Sequence, residues 1–269
     1  MTLNDFHGKA VLITGGTKGI GLATGLAFGR HGAHCYLTHR WGSADESEVR
    51  AKFAAAGAPE PAIVEADVSK DPETVALLEQ VRKDHERLEV FLSNVCVVQI
   101  AQGVESYSRR ALDKSLEYSA WPLVAYLQHV KRTFGRYPRY TVGTSSDGPD
   151  NYYQGYEYVA LSKAVMEALC PYLVRHLAPE GARINILRTR NVLTESALAV
   201  HGEAYPEFVR RYGGESHFIT CEQVADAILA LCSGLFDAFN GQILNVDKGS
   251  PFADNLMRVY RHREEYGLP

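Results

Sequence analysis

Thr14-Gly15-Gly16-Thr17-Lys18-Gly19-Ile20-Gly21 is the first stretch of this sequence whose residue types and spacing could do chemistry. Gly15, Gly19 and Gly21 let the backbone approach a ligand closely and reach conformations that a Cβ disfavours. An apolar run precedes the loop and a helical pattern follows it. The loop therefore brings free backbone N–H groups and the positive end of a helix dipole to one point, with Thr17 and Ile20 on the same turn. Such a cradle suits a pyrophosphate, and a strand before it with a helix after it makes it a dinucleotide fingerprint. The end of the second strand reads the ribose: an acid there binds a 2′-hydroxyl, whereas an arginine accommodates a 2′-phosphate. This chain has Thr38-His39-Arg40-Trp41, with no acid before Asp45. Arg40 and Lys18 both bind phosphate well and predict NADPH; the alternative is that Arg40 is a solvated loop residue.

These residues need a scaffold, and the pattern of the chain supplies one. Short apolar runs at Ala10–Thr14, Ala33–Thr38, Ala62–Glu65, Val90–Ser93, Tyr140–Gly143, Arg183–Leu187 and Gln242–Val246 read as strands. Helical periodicity fills the gaps at Ile20–Arg30, Pro72–Glu86, Arg110–Phe134, Tyr153–Leu177 and Cys221–Ser233. Strands alternating with amphipathic helices predict an α/β fold: a Rossmann-type, doubly wound parallel sheet of about seven strands. Residues 1–269 read as one domain without repeats or linkers. Residues 195–218, rich in Gly, Pro, His and Tyr, are expected to form a mobile helical lid beside the site. The charged tail Met257–Pro269 would cross a subunit interface or stay loose.

TGGTKGIG resembles the T-G-x-x-x-G-x-G motif of the short-chain dehydrogenase/reductase family, whose order and spacing the chain follows from about Leu3 to about Gly249. The resemblance implies that Asp67-Val68, after the third strand, contacts the adenine. Ser93-Asn94-Val95-Cys96 keeps part of the family's N-N-A-G motif and puts Asn94 by the cofactor, and Asp247-Lys248-Gly249 resembles its D-G-G. Ser146 stands where the family keeps a carbonyl-binding serine. Lys163 stands where its ammonium would bind the nicotinamide ribose and pull down the pKa of a nearby tyrosine. The usual tyrosine, four residues before the lysine, is replaced by Val159. Tyr156 instead lies seven residues before Lys163, nearly two helical turns. Y-x6-K resembles the signature of the enoyl-acyl-carrier-protein reductase branch, in which hydride goes to the β-carbon of a conjugated thioester. Tyr156 would then hydrogen-bond the thioester carbonyl and stabilise the enolate. A chance match within the tyrosine-rich loop Tyr152, Tyr153, Tyr156, Tyr158 is the alternative.

Two departures from the family stand out. Ser119 occupies the place of an asparagine used in proton relay, and Arg188-Thr189-Arg190 replaces a Pro-Gly after the sixth strand. Val192 and Thr194 can still present polar groups to the nicotinamide carboxamide. Arg188 and Arg190 would contact a cofactor phosphate, an acidic substrate or a phosphopantetheine, or else pair with Asp147 or Glu195.

A net charge of −4 argues against nucleic acid and anionic membranes as partners. No apolar run reaches the roughly 20 residues of a membrane span. Five cysteines without a C-x-x-C pair, and no secretory signal at the start, fit a cytoplasmic protein with reduced thiols; Cys96 reads as a buried inert thiol. No Cys/His cluster has metal-ligand spacing. Trp41 and Trp121 read as packing or interface residues. The resemblance places Val165, Met166, Leu169 and Leu173 at a helical interface, implying a homodimer or homotetramer, with core packing as the alternative. Three functions stand open. The first is NADPH-dependent reduction of the C=C of a 2-enoyl thioester, carried on a small molecule or a carrier, in fatty-acid or polyketide metabolism. The second is an NADPH-dependent ketoreductase for a bulky carbonyl, and the third a non-catalytic NADPH-binding homologue.

Overall fold

The computed structural model describes residues 5–194, 197–198, 202–213 and 218–268. All seven expected strands form: β1 (Ala10–Ile13), β2 (His34–His39), β3 (Ala62–Glu65), β4 (Leu88–Ser93), β5 (Tyr140–Ser146), β6 (Arg183–Thr189) and β7 (Ile243–Val246). They pair in parallel in the order β3-β2-β1-β4-β5-β6-β7. The order reverses between β1 and β4, and beyond the carboxyl ends of strands at such a switch point lies the crevice that binds ligands.

β1, β4 and most of β5 are buried, as parallel strands covered on both faces must be. Alternate side chains divide between two cores. Leu12, Tyr36 and Phe91 face α3 (Asp71–Asp84), α4 (Arg109–Ser119), α5 (Trp121–Phe134) and α6 (Glu157–Leu177). Ile13, Leu37 and Leu92 face α1 (Gly19–Arg30), α2 (Glu46–Ala55) and a later helix, α8 (Cys221–Cys232).

Three helical features differ from the sequence reading. Arg110–Phe134 is two helices rather than one, because Pro122 lacks an N–H and starts a new first turn at α5. Helix α2 was hidden because only Val49 and Phe53 of it are buried, a narrow apolar stripe on a charged helix; Asp45 caps it by accepting from the Glu48 N–H at 3.0 Å. Helix α6 starts at Glu157, not at Tyr153, since Gly155 at φ 77° breaks the helical run and leaves Tyr156 at the N-cap position. Within the expected lid, α7 (Tyr205–Gly213) is helical; residues 195–196, 199–201 and 214–217 of that region lie outside the described residues. The tail is not loose: α9 (Asn255–Arg261) leads to Tyr266, whose ring sits 5.1 Å from that of Tyr212 on α7. On α6, Met166 is core, whereas Leu161, Val165 and Tyr172 are exposed. Among the described residues no helix is long and apolar enough to cross a membrane, and no His/Cys/Asp/Glu group could hold a metal.

Candidate active site

Hydrogen bonds hold the glycine loop between the ends of three strands. Gly15 N–H donates to Thr38 Oγ1 at 3.2 Å and Gly16 N–H to the Thr38 carbonyl at 3.0 Å, tying it to β2. Asn94, just past β4, donates from Nδ2 to the Gly15 carbonyl at 3.1 Å and from its backbone to Thr14 Oγ1 at 3.0 Å. Thr144 on β5 donates to Asn94 Oδ1 at 3.3 Å. Gly15 and Gly19 take φ of 61° and 51°, where a side chain is strained. At Gly21 a Cβ would stand 2.2 Å from the Gly15 carbonyl oxygen. The loop is thus a cradle that only glycine can build.

A cleft of about 690 Å³ runs across the strand ends above this loop. Gly15, Thr17, Lys18, Gly19 and Ile20 line it beneath, and Asn94 lies at its middle. Arg40 and Val68 mark one end, and Ser146, Tyr156 and Lys163 the other. Val192 and Thr194 line it as well, with Thr194 Cγ2 at 3.4 Å from a Cβ built on Gly19. The cleft's length and glycine floor fit a dinucleotide. Two expected contacts do not line it. Gly21 lies behind the loop and gives it room, and Asp67 is buried beneath Arg40.

At the β2–β3 end of the cleft Asp67 is engaged by the chain's own groups. Its Oδ2 pairs with Arg40 Nη2 at 2.7 Å, and its Oδ1 accepts from the Ser69 N–H and hydroxyl at 2.9 and 2.8 Å. A carboxylate so engaged orients Arg40. The Arg40 guanidinium also lies 3.7 Å from the Trp41 ring centroid and 4.9 Å from that of Tyr118, whose hydroxyl accepts from Nη1. Arg40 is therefore a held group, not a solvated one, and exposed Trp41 is its stacking partner. Tyr118 gives no signal in the sequence because its partners lie 49 to 78 residues away.

At the other end, Lys163 is buried and donates from Nζ to the Thr144 carbonyl at 2.7 Å, which fixes its ammonium against β5. Tyr156 packs its ring on Gly148, where a Cβ would meet Tyr156 Cε1 at 2.8 Å. The Tyr156 hydroxyl is raised well above the ordinary tyrosine pKa, first by burial and then by Cys96, against the hydrogen bond from Ser146. This reverses the expected lowering by Lys163: the phenol is a stable donor. At saturating dinucleotide, kcat should accordingly show no loss from Tyr156 ionisation up to about pH 10, because the donor is lost only when pH passes a raised pKa. A falling limb below that value in a kcat–pH profile, absent from Tyr156→Phe, would overturn this assignment.

Other expectations need adjusting here. Cys96 is exposed and lines the cleft, not buried, because the chain past β4 has no helix to cover it. Ser119 is buried and accepts from the Val97 N–H at 3.2 Å, so it shapes the segment after β4. Arg190 lines the cleft and pairs with Asp147 at 3.4 Å, and Asp147 also accepts from the Tyr153 hydroxyl at 2.6 Å. Arg188 turns away from the cleft to Glu167, with Nε to Oε1 at 3.0 Å, and to Asp150. Glu167 in turn accepts from Ser145 Oγ at 2.6 Å, so this buried network anchors the strand end that presents Ser146. Glu195 lies outside the described residues.

Residues 15–250 match the family model described as Enoyl-(Acyl carrier protein) reductase. The chain belongs to that family of short-chain dehydrogenases/reductases. It is 26% identical over 265 residues to the enoyl-[acyl-carrier-protein] reductase [NADH] of Aquifex aeolicus, covering 96% of each chain. It is 28% identical over 255 residues to the (+)-cis,trans-nepetalactol synthase NEPS1 of Nepeta racemosa, covering 90% of this chain and 91% of that one. In three dimensions it resembles a short chain dehydrogenase from Burkholderia cenocepacia in complex with NADP, with a TM-score of 0.80 at 21% identity over 92% of this chain and 100% of that one. This reductase-family member is thus an oxidoreductase whose fold binds a nicotinamide cofactor.

Proposed function

We propose that this enzyme reduces the C=C of a 2-enoyl thioester with NADPH, in fatty-acid or polyketide metabolism. The observation that carries the reading is the position of Tyr156: it lines the cleft with Ser146 and Lys163, while buried Val159 occupies the place of the usual tyrosine. The bound dinucleotide supplies a hydride. Lys163, held by Thr144, would bind its nicotinamide ribose, and Val192 and Thr194 its carboxamide. Tyr156 would donate a hydrogen bond to the thioester oxygen and stabilise the negative charge left there when the β-carbon takes the hydride, with Ser146 orienting the phenol and a solvent proton completing the reduction at the α-carbon. Residues 195–218 would cover the substrate, and exposed Leu161, Val165 and Tyr172 of α6 would form the interface of a homo-oligomer.

Relatives are described with cofactors of both kinds, NADH for one and NADP for another, so the choice rests on this chain's own residues. Arg40 and Lys18 line the adenosine half of the cleft with no acid at the end of β2. Arg40→Ala should raise the Kd for NADPH by about tenfold to a hundredfold and leave NADH nearly unchanged, as loss of a charge-assisted contact requires. Fluorescence titration checks this, and equal losses for both would remove Arg40 from the discrimination.

The test of the reaction is NADPH oxidation with a short trans-2-enoyl thioester and, in parallel, a β-ketoacyl thioester. Turnover of the enoyl substrate alone is the expected result. The contact between Ser146 and Tyr156 favours a second reading, a ketoreductase, and turnover of the ketone alone would establish that instead. Silence on both with NADPH still bound would favour a specialised substrate or a non-catalytic role.

A further inference from the structure

Three arginines stand at strand ends around the cleft, and two of them are committed to the chain's own groups. Arg40 is held by Asp67 and Tyr118, and Arg188 by Glu167 and Asp150. Arg190, the first residue past β6, is not so held. It lines the cleft, yet among the described residues none of its N–H groups makes a hydrogen bond, and its Nε is enclosed without a partner. Its ion contact, Nη1 to Asp147 Oδ2 at 3.4 Å, is too long for a charge-assisted hydrogen bond. That same oxygen gives its close bond elsewhere, accepting from the Tyr153 hydroxyl at 2.6 Å. A largely buried guanidinium normally fills its donors, so one left open in a ligand cleft calls for an oxyanion.

The register of the sheet says where that oxyanion belongs. Strands β5 and β6 pair Ser146 with Thr189, so Arg190 directly follows the residue opposite Ser146. It therefore stands at the reacting end of the cleft, with Tyr156 and Lys163. Charge points the same way. The chain carries −4 overall, yet the described lining of the cleft sets Lys18, Arg40, Lys163 and Arg190 against the carboxylate of Asp147. Under the NADPH reading, Lys18 and Arg40 serve the cofactor's phosphates. Lys163 and Arg190 then face Asp147 at the other end, two cations against one carboxylate, and the excess suits an anionic substrate. We propose that Arg190 recognises a carboxylate on the acyl chain of the substrate, a few carbons from the C=C. The substrate is then the monothioester of a short unsaturated dicarboxylic acid. Hydride and a solvent proton add across the C=C as before, and the carboxylate is unchanged. The place of Arg190 favours this group over the phosphate of a pantetheine arm, which lies at the far end of the arm from the reacting carbons.

The inference rests on the enoyl-reduction reading for the place of the thioester, and the experiment separates the two. Calorimetry on the enzyme saturated with NADPH measures Kd for the N-acetylcysteamine monothioester of pentanedioic acid and for its methyl ester. Both probes are saturated, unreactive and free of phosphate. Wild type should bind the acid about tenfold to a hundredfold more tightly than the ester, as a charge-assisted contact requires. In Arg190→Gln that gap should close, and Arg190→Lys should keep part of it. Equal binding of acid and ester by wild type, a comparison that needs no variant to fold, would overturn the proposal, as would a gap that persists in Arg190→Gln. A loss of NADPH affinity in Arg190→Gln as large as the loss for the acid would assign the arginine to the cofactor and overturn it too. NADPH oxidation with the trans-2-pentenedioyl and trans-2-butenoyl thioesters then tests the reaction. Reduction of both at equal kcat/KM would overturn the carboxylate role and leave enoyl reduction intact. Tight, Arg190-dependent binding of the acid with turnover of neither would overturn enoyl reduction and leave the acidic ligand in place.

Discussion

Tyr156→Phe should lower turnover of the enoyl thioester by about 10²–10⁴ while leaving NADPH affinity within about twofold. The substitution removes one oxygen. The ring that packs on Gly148 remains, so the loop after β5 keeps its shape. What disappears is a donor held protonated by burial and aimed into the cleft beside Ser146. Such a donor in a partly enclosed site acts where charge develops, and little reorganisation is needed at the moment of reaction. NADPH oxidation by the purified variant, with thermal unfolding as a control for fold, measures the effect. An unchanged rate would remove Tyr156 from the reaction and make Tyr153, hydrogen-bonded to Asp147, the next phenol to test.

Gly21→Ala should abolish useful dinucleotide binding, with Kd rising by more than about 100-fold, and lower stability by roughly 2 kcal/mol. The new methyl would stand 2.2 Å from the Gly15 oxygen and 2.9 Å from Asn94 Nδ2 and from the Gly16 Cα. The Gly15 oxygen and the Gly16 Cα are backbone atoms and cannot yield as the tip of a flexible side chain would. Relief requires the Gly15 peptide to rotate, which breaks the 3.1 Å bond from Asn94 and redirects the N–H groups meant for phosphate. Helix α1 also loses its seat against the loop. Calorimetry of unfolding and fluorescence titration with NADPH read the two effects, and a variant that binds NADPH normally would show that the loop is more pliable than its contacts imply.

Much of this was legible in the residues alone. All seven strands and the glycine loop announce themselves through local signals: apolar runs of strand length, and a glycine-rich turn between a strand and a helix. Local physics determines these features, because a pleated strand buried on both faces must be apolar and a tight turn at positive φ that brings backbone close to a ligand favours glycine. The spacing of Tyr156 and Lys163 was equally visible, and the fold brings both to one end of the cleft.

Tertiary structure decided the rest. Helix α2 has too narrow an apolar stripe to show in the sequence and is held by Val49 and Phe53 against the sheet. The direction of the Tyr156 pKa could not be inferred from a nearby lysine, because burial raises it and the Lys163 ammonium is bound to a carbonyl on β5. The partners of Arg40, Asp67 and Tyr118 depend on where the ends of β2 and β3 meet α4. Sequence thus determined the scaffold and the types of residue at its strand ends, through periodicity and conformational limits that act locally. Which of those side chains face the cleft, which are spent on one another and which remain open to a ligand was settled only when distant segments packed together.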